Sequence, residues 1–255
     1  KNTKLRYNVI GLDLGNQENY WKIGSVNQGE PPVKSTDTKI LDAFNRGKNA
    51  GNILATYSHH AFKFADVIVV DIPLDIEKPE TAELSFSSLS YDNFSSSISE
   101  IAKNCNEDAL VILETTVPPG TTEKVVEPIF RTIFELRNLD FNKLKLAHSY
   151  ERVMPGANYL DSVTKSYRVF AASNVNSSNA TREFLETFID TKNFPLSELE
   201  CPTASEMAKV LENSYRAANI AFIREWGQFA QDAGVDLYDI IEAIRVRSTH
   251  NNIMW

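Results

Sequence analysis

Short apolar runs alternate with segments of helical periodicity through the first 200 residues, and this alternation restricts the possible folds more than any other feature. The apolar runs are rich in Val, Ile, Leu, Tyr and Phe, which is typical of strands buried on both faces of a parallel sheet. They are RYNVIGLDL, ADVIVVDIP, ALVILETT, LKLAHS and YRVFAAS. The helical segments are TDTKILDAFNRG, NFSSSISEIAKNC, GTTEKVVEPIFRTIFEL and SNATREFLETFID. Residues 1–200 are therefore predicted to form a doubly wound α/β domain with a parallel sheet.

A different pattern follows residue 200. One long helix is predicted over residues 203–233, with Gly234 as its terminator, and VDLYDIIEAIRVR predicts a second helix. Apolar residues cover most of the long helix, and one stripe consists of Met207, Leu211, Tyr215, Ala218, Phe222 and Phe229. Such a helix needs burial against its own domain and against a second subunit. We therefore expect a homodimer formed partly through this helix.

Composition argues against several classes of partner and site. The net charge of −8 over 255 residues disfavours a broad basic face for nucleic acid. No apolar stretch approaches the roughly 20 residues that span a bilayer, and the N-terminal residues lack a signal-peptide layout, so we expect a cytoplasmic protein without a membrane partner. Cys105 and Cys201 lie far apart, and His59 and His60 have no further ligand at metal spacing, so neither disulfides nor a metal site is predicted.

Polar residues follow the predicted strands at the edge where open α/β sheets bind ligands. Asp13 has the place of a carboxylate that binds the adenosine ribose of a dinucleotide, although an aspartate after a strand also serves as a turn former. Pro118 and Pro119 deny helix geometry to Thr116, and Gly120 permits a sharp entry into the next helix. Two interpretations stay open here: the threonine hydroxyl is held at a functional edge, or the threonines only cap the helix.

Three polar residues interrupt the apolar surface of the long helix. Lys209, Asn213 and Arg216 fall at i, i+4 and i+7 and therefore on one face. One interpretation is a solvated lysine beside an ordinary polar neighbour. The other is an ammonium and an amide that together stabilise negative charge in a site shielded from water.

Five segments occur in a characteristic order along the chain: TTVPPGTTEKV, SYERVMPG, SEMAKVLENSYRAANIAFIREW, AGVDLYDIIEAIR and HNNIM. Together they resemble the UDP-glucose/GDP-mannose dehydrogenase family, and most closely its branch that oxidises UDP-N-acetylhexosamines. The resemblance covers nearly the whole chain. It implies NAD-dependent oxidation of the C6 alcohol of a UDP-sugar, either a UDP-N-acetylhexosamine or UDP-glucose, to a carboxylate. The implied route passes through an aldehyde and a cysteine-bound thioester, with one hydride delivered to NAD in each oxidation.

The resemblance also implies roles for single residues. Thr116 matches a threonine that helps to hold a catalytic water, and Glu151 matches a glutamate implicated as acid or base in thioester hydrolysis. Lys209 and Asn213 match the lysine and asparagine that stabilise the developing oxyanion. Arg245 matches an arginine that reaches across the dimer to the nucleotide sugar.

Further residues are expected to bind the cofactor or the substrate. Cofactor contacts are expected from Asp13, Pro73, Leu74 and Thr116, with Leu74 standing where the family usually has threonine. Arg152 either contacts a substrate phosphate or pairs with one of the abundant acidic side chains.

Departures from the family pattern lead to a second set of expectations. GLDLG has the wrong spacing for the family's GxGxxG loop, and neither cysteine occupies the position of the GGxC nucleophile. We therefore expect a fragment in which a Rossmann-like domain lacks its first strand, residues 201–255 form an incomplete dimerisation domain, and the C-terminal nucleotide-sugar domain is missing. Such a fragment by itself is expected to bind NAD poorly and to lack turnover. Without that first strand, the strands near Arg6 and Ala109 are expected to lack their shared neighbour.

Two alternatives stay open. β-Hydroxyacid dehydrogenases of the 6-phosphogluconate type also combine a dinucleotide fold with a Lys-x-x-x-Asn helix, although ERVMPG and HNNIM argue against them. The other alternative is a dimerising or nucleotide-binding remnant without catalysis.

Overall fold

The computed structural model describes residues 6–74, 90–154 and 156–246. The HNNIM motif lies outside these residues. Two compact units are present, Lys1–Glu206 and Met207–Trp255. The strands are β1 (Val9–Leu12), β2 (Ile53–Thr56), β3 (Val67–Val70), β4 (Leu110–Leu113), β5 (Lys145–His148), β6 (Val169–Ala172) and β7 (Ser197–Glu198). The α-helices are α1 (Tyr20–Gln28), α2 (Thr38–Ala50), α3 (Asp92–Asn104), α4 (Glu127–Leu136), α5 (Tyr159–Thr164), α6 (Val175–Leu185), α7 (Pro202–Asp232) and α8 (Leu237–Arg245).

The strands of the first unit form two sheets. β1 pairs in parallel with β2, and the second sheet has the order β3-β4-β5-β6-β7. Helices alternate with strands through this unit, so the predicted α/β class is confirmed. The prediction that all five apolar runs are parallel is wrong for β6, which runs antiparallel to β5. β5 ends and β6 begins at the same edge of the sheet, where the Ser149 hydroxyl, directly after β5, donates to the Val169 carbonyl at 3.2 Å.

Two further expectations, one about strand neighbours and one about burial, also need correction. The strand beginning near Ala109 is β4, which pairs with both β3 and β5 and therefore has two neighbours. Among the described residues, β1 and β3 are the apolar runs of the first 110 residues that pair on one side only. The neighbours of β4 were wrongly predicted because β2, with the short sequence ILAT, was not predicted as a strand. Burial of β1 on both faces is also wrong, because Val9 and Ile10 are 53% and 42% exposed.

The main core surrounds β4, all of whose residues are buried. Phe94 and Ile98 lie one turn apart on α3, and Phe130 and Phe134 lie one turn apart on α4, so each helix presents one apolar stripe to the sheet. Burying each such side chain contributes about 1.5–3 kcal/mol. The Cys105 thiol lies in this core, and burial raises its pKa to about 11, so little of the reactive thiolate forms at neutral pH.

The helix after β4 begins with a wide turn. Residues Thr122–Val126 are π-helical, and the Glu127 amide bonds to the Thr122 carbonyl before α4 continues. Pro128 explains this geometry, because proline has no amide hydrogen and its ring collides with the carbonyl four residues earlier in a regular helix. Gly120, at φ +92°, makes the turn into this helix, as its position after the two prolines predicted.

In its described residues, the second unit contains α7 from Met207 onward and the whole of α8. Gly234 has φ +69° and its amide bonds to the Gln231 carbonyl, so the predicted terminator is confirmed. Asp236 caps α8 by accepting a hydrogen bond from the Tyr238 amide at 2.8 Å. Many apolar side chains of α7 are exposed in the single chain, including Leu211, Tyr215, Ile220, Phe222 and Phe229.

Candidate functional site

The carboxyl ends of β3, β4 and β5 lie side by side. The amide that follows β4 bonds to the last carbonyl of β3 at 2.9 Å, and the amide that follows β5 bonds to the last carbonyl of β4 at 2.9 Å. The hydrogen bonding between neighbouring strands therefore continues one residue beyond the ends of β4 and β5. Pro73, Thr116 and Glu151 each follow one of these three strands by three residues, so the structure brings these predicted site residues to one edge of the sheet.

The Thr116 side chain is exposed at this edge, between Thr115 and Val117, which are both buried. It does not cap the next helix. The N-cap position belongs to Thr121, and no side-chain cap bond is made there. The interpretation of Thr116 as a helix cap is therefore wrong, whereas its proposed role at the functional edge stays a prediction.

A glutamate that sequence reasoning missed caps the helix instead. The carboxylate of Glu206, in the first turns of α7, accepts hydrogen bonds from the Gly120 amide at 2.5 Å and the Thr122 amide at 2.7 Å. It also accepts one from the Thr122 hydroxyl at 2.5 Å. Burial raises the pKa of Glu206, and the hydrogen bonds from Thr122 and Gly120 act in the opposite direction. The signal in the sequence was a carboxylate on an apolar stretch of the long helix, in SEMAK.

A second missed group consists of charged residues at the same edge. Asp71 follows β3 directly, Glu114 follows β4 directly, and Arg168 directly precedes β6. Arg168 Nη1 lies 2.6 Å from Glu114 Oε1. Burial raises the pKa of Glu114, and nearby Arg168 partly offsets this effect. Burial, followed by the charge of Glu151, raises the pKa of Asp71.

Glu151 and Arg152 occupy the turn after β5. The Glu151 carboxylate is half-buried and accepts a hydrogen bond from the Val153 amide. The Arg152 guanidinium lies 5.8 Å from the centroid of the Tyr150 ring, a cation–π distance. The role of Glu151 as acid or base and the phosphate contact of Arg152 stay predictions.

Asp13 lies in the other sheet, at the carboxyl end of β1. Its carboxylate accepts a hydrogen bond from the Leu14 amide at 2.7 Å and lies 3.3 Å from the Lys22 ammonium. Asp13 therefore stabilises the turn after β1, and its side chain also remains about one third exposed. This geometry fits a ribose of NAD, because a partly exposed carboxylate after a strand accepts hydrogen bonds from its hydroxyls. Lys22 was missed because its segment, which forms α1, was not predicted as a helix.

Leu74 packs against the core around β4. The side chain therefore lies in apolar surroundings that suit leucine, at the position where the family usually has threonine. A cofactor contact from Leu74 stays a prediction, and its side chain would make that contact without a polar atom.

The remaining predicted site residues belong to the second unit. Lys209 is buried and Asn213 is half-buried, and both lie in the continuous helix α7. The Asn213 amide oxygen accepts a hydrogen bond from Arg216 at 3.0 Å. Arg245, in the last turn of α8, pairs with Glu242 at 2.7 Å. The catalytic and substrate-binding roles of Lys209, Asn213 and Arg245 stay predictions.

The part of the chain that the structure describes, residues 6–74, 90–154 and 156–246, has neither a cluster of metal-binding residues nor a helix that could span a membrane. These residues contain no group of three or more His, Cys, Asp or Glu placed to hold a metal ion. His59 Nδ1 lies 3.0 Å from Glu100 Oε2, which makes a pair rather than a ligand set. In the same part of the chain, no helix combines the length and the apolar character that crossing a membrane requires.

The sheet order, the strand-end residues and the long helix define a dinucleotide-binding α/β domain joined to a helical segment. Residues 3–189 match the NAD-binding domain of the UDP-glucose/GDP-mannose dehydrogenase family, and residues 203–254 match the central domain of that family. The chain therefore belongs to the UDP-glucose/GDP-mannose dehydrogenase family, and the resemblance carried by its motifs is confirmed. The predicted cofactor, NAD, agrees with the match to the NAD-binding domain.

Individual relatives agree with this assignment. The UDP-N-acetyl-D-mannosamine dehydrogenase of Pyrococcus horikoshii is 29% identical over 254 residues, which cover 97% of this chain and 53% of that protein. The solved structure of UDP-D-ManNAc dehydrogenase from Pyrococcus horikoshii has a TM-score of 0.77 at 25% identity and covers 95% of this chain and 53% of its own. A ternary complex of GDP-mannose dehydrogenase from Pseudomonas aeruginosa has a TM-score of 0.77 at 19% identity, over 94% of this chain and 52% of its own, and shows the fold alone.

The chain spans about half the length of the curated relatives that it matches. The family match does not favour the β-hydroxyacid dehydrogenase alternative.

Proposed function

We propose that this chain contributes the cofactor side and part of the sugar side of an NAD-dependent UDP-sugar 6-dehydrogenase. The substrate class is a UDP-N-acetylhexosamine, with UDP-glucose as the second candidate. The observation that carries the proposal is the shared sheet edge: Thr116 and Glu151 follow adjacent strands of a chain that belongs to this family. The relative from Pyrococcus horikoshii, a UDP-N-acetyl-D-mannosamine dehydrogenase, supports the choice of the N-acetylhexosamine branch.

Residues of the first unit bind and orient the reactants. NAD, when bound, would supply the acceptor for the hydride of C6 of the sugar. Asp13 accepts hydrogen bonds from the adenosine ribose, and Pro73 and Leu74 contact the cofactor beyond β3. The exposed Thr116 hydroxyl contacts the cofactor and holds a water molecule at the sheet edge. Glu151 takes or returns the proton of that water, because a carboxylate within hydrogen-bond reach of the water can act as a general base.

Residues of the second unit stabilise charge and bind the sugar nucleotide. Lys209 and Asn213 lie one helical turn apart, so an ammonium and an amide donor can converge on one oxygen that gains negative charge. Arg245 and Arg152 bind the anionic part of the substrate, since guanidinium groups donate in a fork that suits phosphate.

The partner that completes the site is a second copy of this chain. Leu211, Tyr215, Ile220, Phe222 and Phe229 are exposed on α7 in the single chain. An apolar surface of this extent on one helix is typical of an interface. Dimerisation through α7 would bury these side chains and allow Arg245 of one copy to reach the substrate of the other. The cytoplasmic location expected from the sequence stays a prediction.

The test measures NADH formation by the complete gene product with UDP-N-acetylmannosamine, UDP-glucose and 6-phosphogluconate. Oxidation of an alcohol to a carboxylate removes four electrons, so we expect two NADH per UDP-sugar. One NADH per 6-phosphogluconate and none from the UDP-sugars would instead indicate the β-hydroxyacid dehydrogenase class. Binding of NAD by calorimetry without turnover of any substrate would indicate a nucleotide-binding remnant.

Matched variants connect the activity to the proposed site. Glu151→Gln should abolish carboxylate formation, whereas Glu127→Gln, at a surface pair with Arg131, should retain it. Equal activity of the Glu151→Gln variant and the wild type would contradict the assignment of Glu151.

A further inference from the structure

An ion pair between Arg168 and Glu114 lies across the segment that carries Glu151. Arg168 Nη1 lies 2.6 Å from Glu114 Oε1, with the two side chains 4% and 21% exposed. Glu114 directly follows β4, Arg168 directly precedes β6, and β5 lies between these two strands in the sheet. The pair therefore spans the segment that leaves β5, which contains Glu151.

The pairing of β5 with β6 places Arg168 next to that segment. His148 pairs with Ala171 in the antiparallel register. One residue beyond β5, the Ser149 hydroxyl donates to the carbonyl of Val169, the residue that follows Arg168. Arg168 therefore lies close to the beginning of the segment that leaves β5, and it forms an ion pair with Glu114 on the far side of β5.

Around this ion pair, carboxylates outnumber the guanidinium of Arg168. Glu114 interacts electrostatically with Asp71 and Glu151 as well as with Arg168. Asp71 also interacts with Glu151. Three carboxylates therefore lie within electrostatic reach of one another, and the buried guanidinium of Arg168 opposes their repulsion. Arg168 Nη1 makes an ion pair with Glu114 but no hydrogen bond of regular geometry, so the guanidinium acts here through its charge.

We propose that the ion pair between Arg168 and Glu114 is a positioning device for Glu151, which holds residues 149–153 against the sheet edge and keeps the Glu151 carboxylate in its working place. This inference rests on the proposed function, in which Glu151 is the acid or base. Arg168 and Glu114 act through Glu151 and are positioning residues. Without the guanidinium, the three carboxylates repel one another, and the segment that carries Glu151 moves away from the edge.

Hydrogen exchange tests the positioning step without any need for activity. In the complete gene product with Arg168→Met, amides of residues 149–153 should exchange several-fold faster than in the wild type. Arg131→Met is the matched control, because it breaks an ion pair with Glu127 at 2.5 Å whose arginine is exposed; it should leave those amides unchanged. If Arg168→Met does not fold, Glu114→Gln tests the same segment. Unchanged exchange at residues 149–153 in the folded variant overturns the proposal.

Kinetics of NADH formation test the consequence for the reaction. For Arg168→Met or Glu114→Gln, kcat per folded enzyme should fall about 10- to 100-fold while KM for NAD stays the same, as expected when a catalytic group is displaced. Arg168→Lys should recover part of the loss because it keeps the charge. A loss of folded protein with unchanged kcat per folded enzyme would show a structural role only and would overturn the proposal.

The two measurements separate two kinds of failure. If the wild type forms no NADH from UDP-sugars, the proposed function fails, and hydrogen exchange still decides whether the ion pair fixes residues 149–153. If the wild type is active and the exchange of these residues is unchanged in the variants, the positioning inference alone fails.

Discussion

The carboxylate of Glu206 accepts hydrogen bonds from both the amide and the hydroxyl of Thr122, at 2.7 and 2.5 Å. A side chain in the first turns of α7 therefore caps the helix that follows the two prolines. Helix N-termini carry unpaired amides and a partial positive charge, and a carboxylate satisfies both. The capped turn begins directly after the segment that carries Thr116.

Replacement of Glu206 should destabilise the first unit. Glu206→Ala leaves buried donors of Gly120 and Thr122 without their acceptor, at a cost of about 1–3 kcal/mol for a buried unsatisfied group. Glu123→Ala is a suitable control, because Glu123 accepts a hydrogen bond from Thr203 at the same junction and is exposed. Chemical denaturation should show a lower free energy of unfolding for Glu206→Ala than for Glu123→Ala. Equal values would contradict the capping role.

The carboxyl of Asp71, which is partly desolvated although the residue is exposed, predicts a pH dependence of stability. Burial and the charge of Glu151 raise the pKa of Asp71 above 3.8 in the folded chain. The folded state therefore retains a proton that the unfolded state loses, and the contribution of Asp71 to stability falls as pH rises from about 3.8 through the folded pKa. Relative to Asp71→Asn, the wild type should lose free energy of unfolding over this pH range. A difference that is constant with pH, measured by denaturation at several pH values, would refute the prediction.

The sequence was sufficient for much of the fold, because long periodic segments carry a strong signal. The helix at residues 203–233 and the helical segments that contain α3 and α4 were predicted from periodicity, and Gly234 follows the end of α7 as predicted. β2 was missed because four residues, ILAT, show no clear alternation. The antiparallel direction of β6 was not predictable from its composition, because strand direction depends on where the connection runs.

The residues of the candidate site also divide into some that the sequence predicted and others that it did not. Thr116 was predicted because it follows an apolar run, and Glu151 because its segment resembles the family; the parallel order of β4 and β5 brings the two strand ends together. Glu206, Glu114 and Arg168 were missed because their partners lie 54 to 86 residues away in the sequence. Pairs between such distant residues depend on tertiary packing rather than on local pattern.

Lys209 and Asn213 should affect the rate of oxidation more than the binding of NAD. Loss of one preorganised donor to a developing oxyanion costs about 10²–10³ in kcat, so Lys209→Met and Asn213→Ala should each lower kcat of the complete gene product by about this factor. Arg224→Met, at an exposed position on the same helix, is the control. Stopped-flow measurement of NADH formation with UDP-N-acetylmannosamine gives the comparison. Wild-type rates in both variants would remove these residues from the catalytic assignment.

The exposed apolar face of α7 predicts self-association. Phe229 is 77% exposed in the single chain, and α7 carries further exposed apolar residues at Leu211, Tyr215, Ile220 and Phe222. Sedimentation equilibrium should therefore give the mass of a dimer. Tyr215→Glu together with Phe229→Glu should shift the mass to that of a monomer, because burying two carboxylates at an interface without partners is unfavourable. Leu136→Glu, at an exposed leucine at the end of α4, should leave the dimer intact, and a monomeric wild type would contradict the role of α7 as an interface between copies.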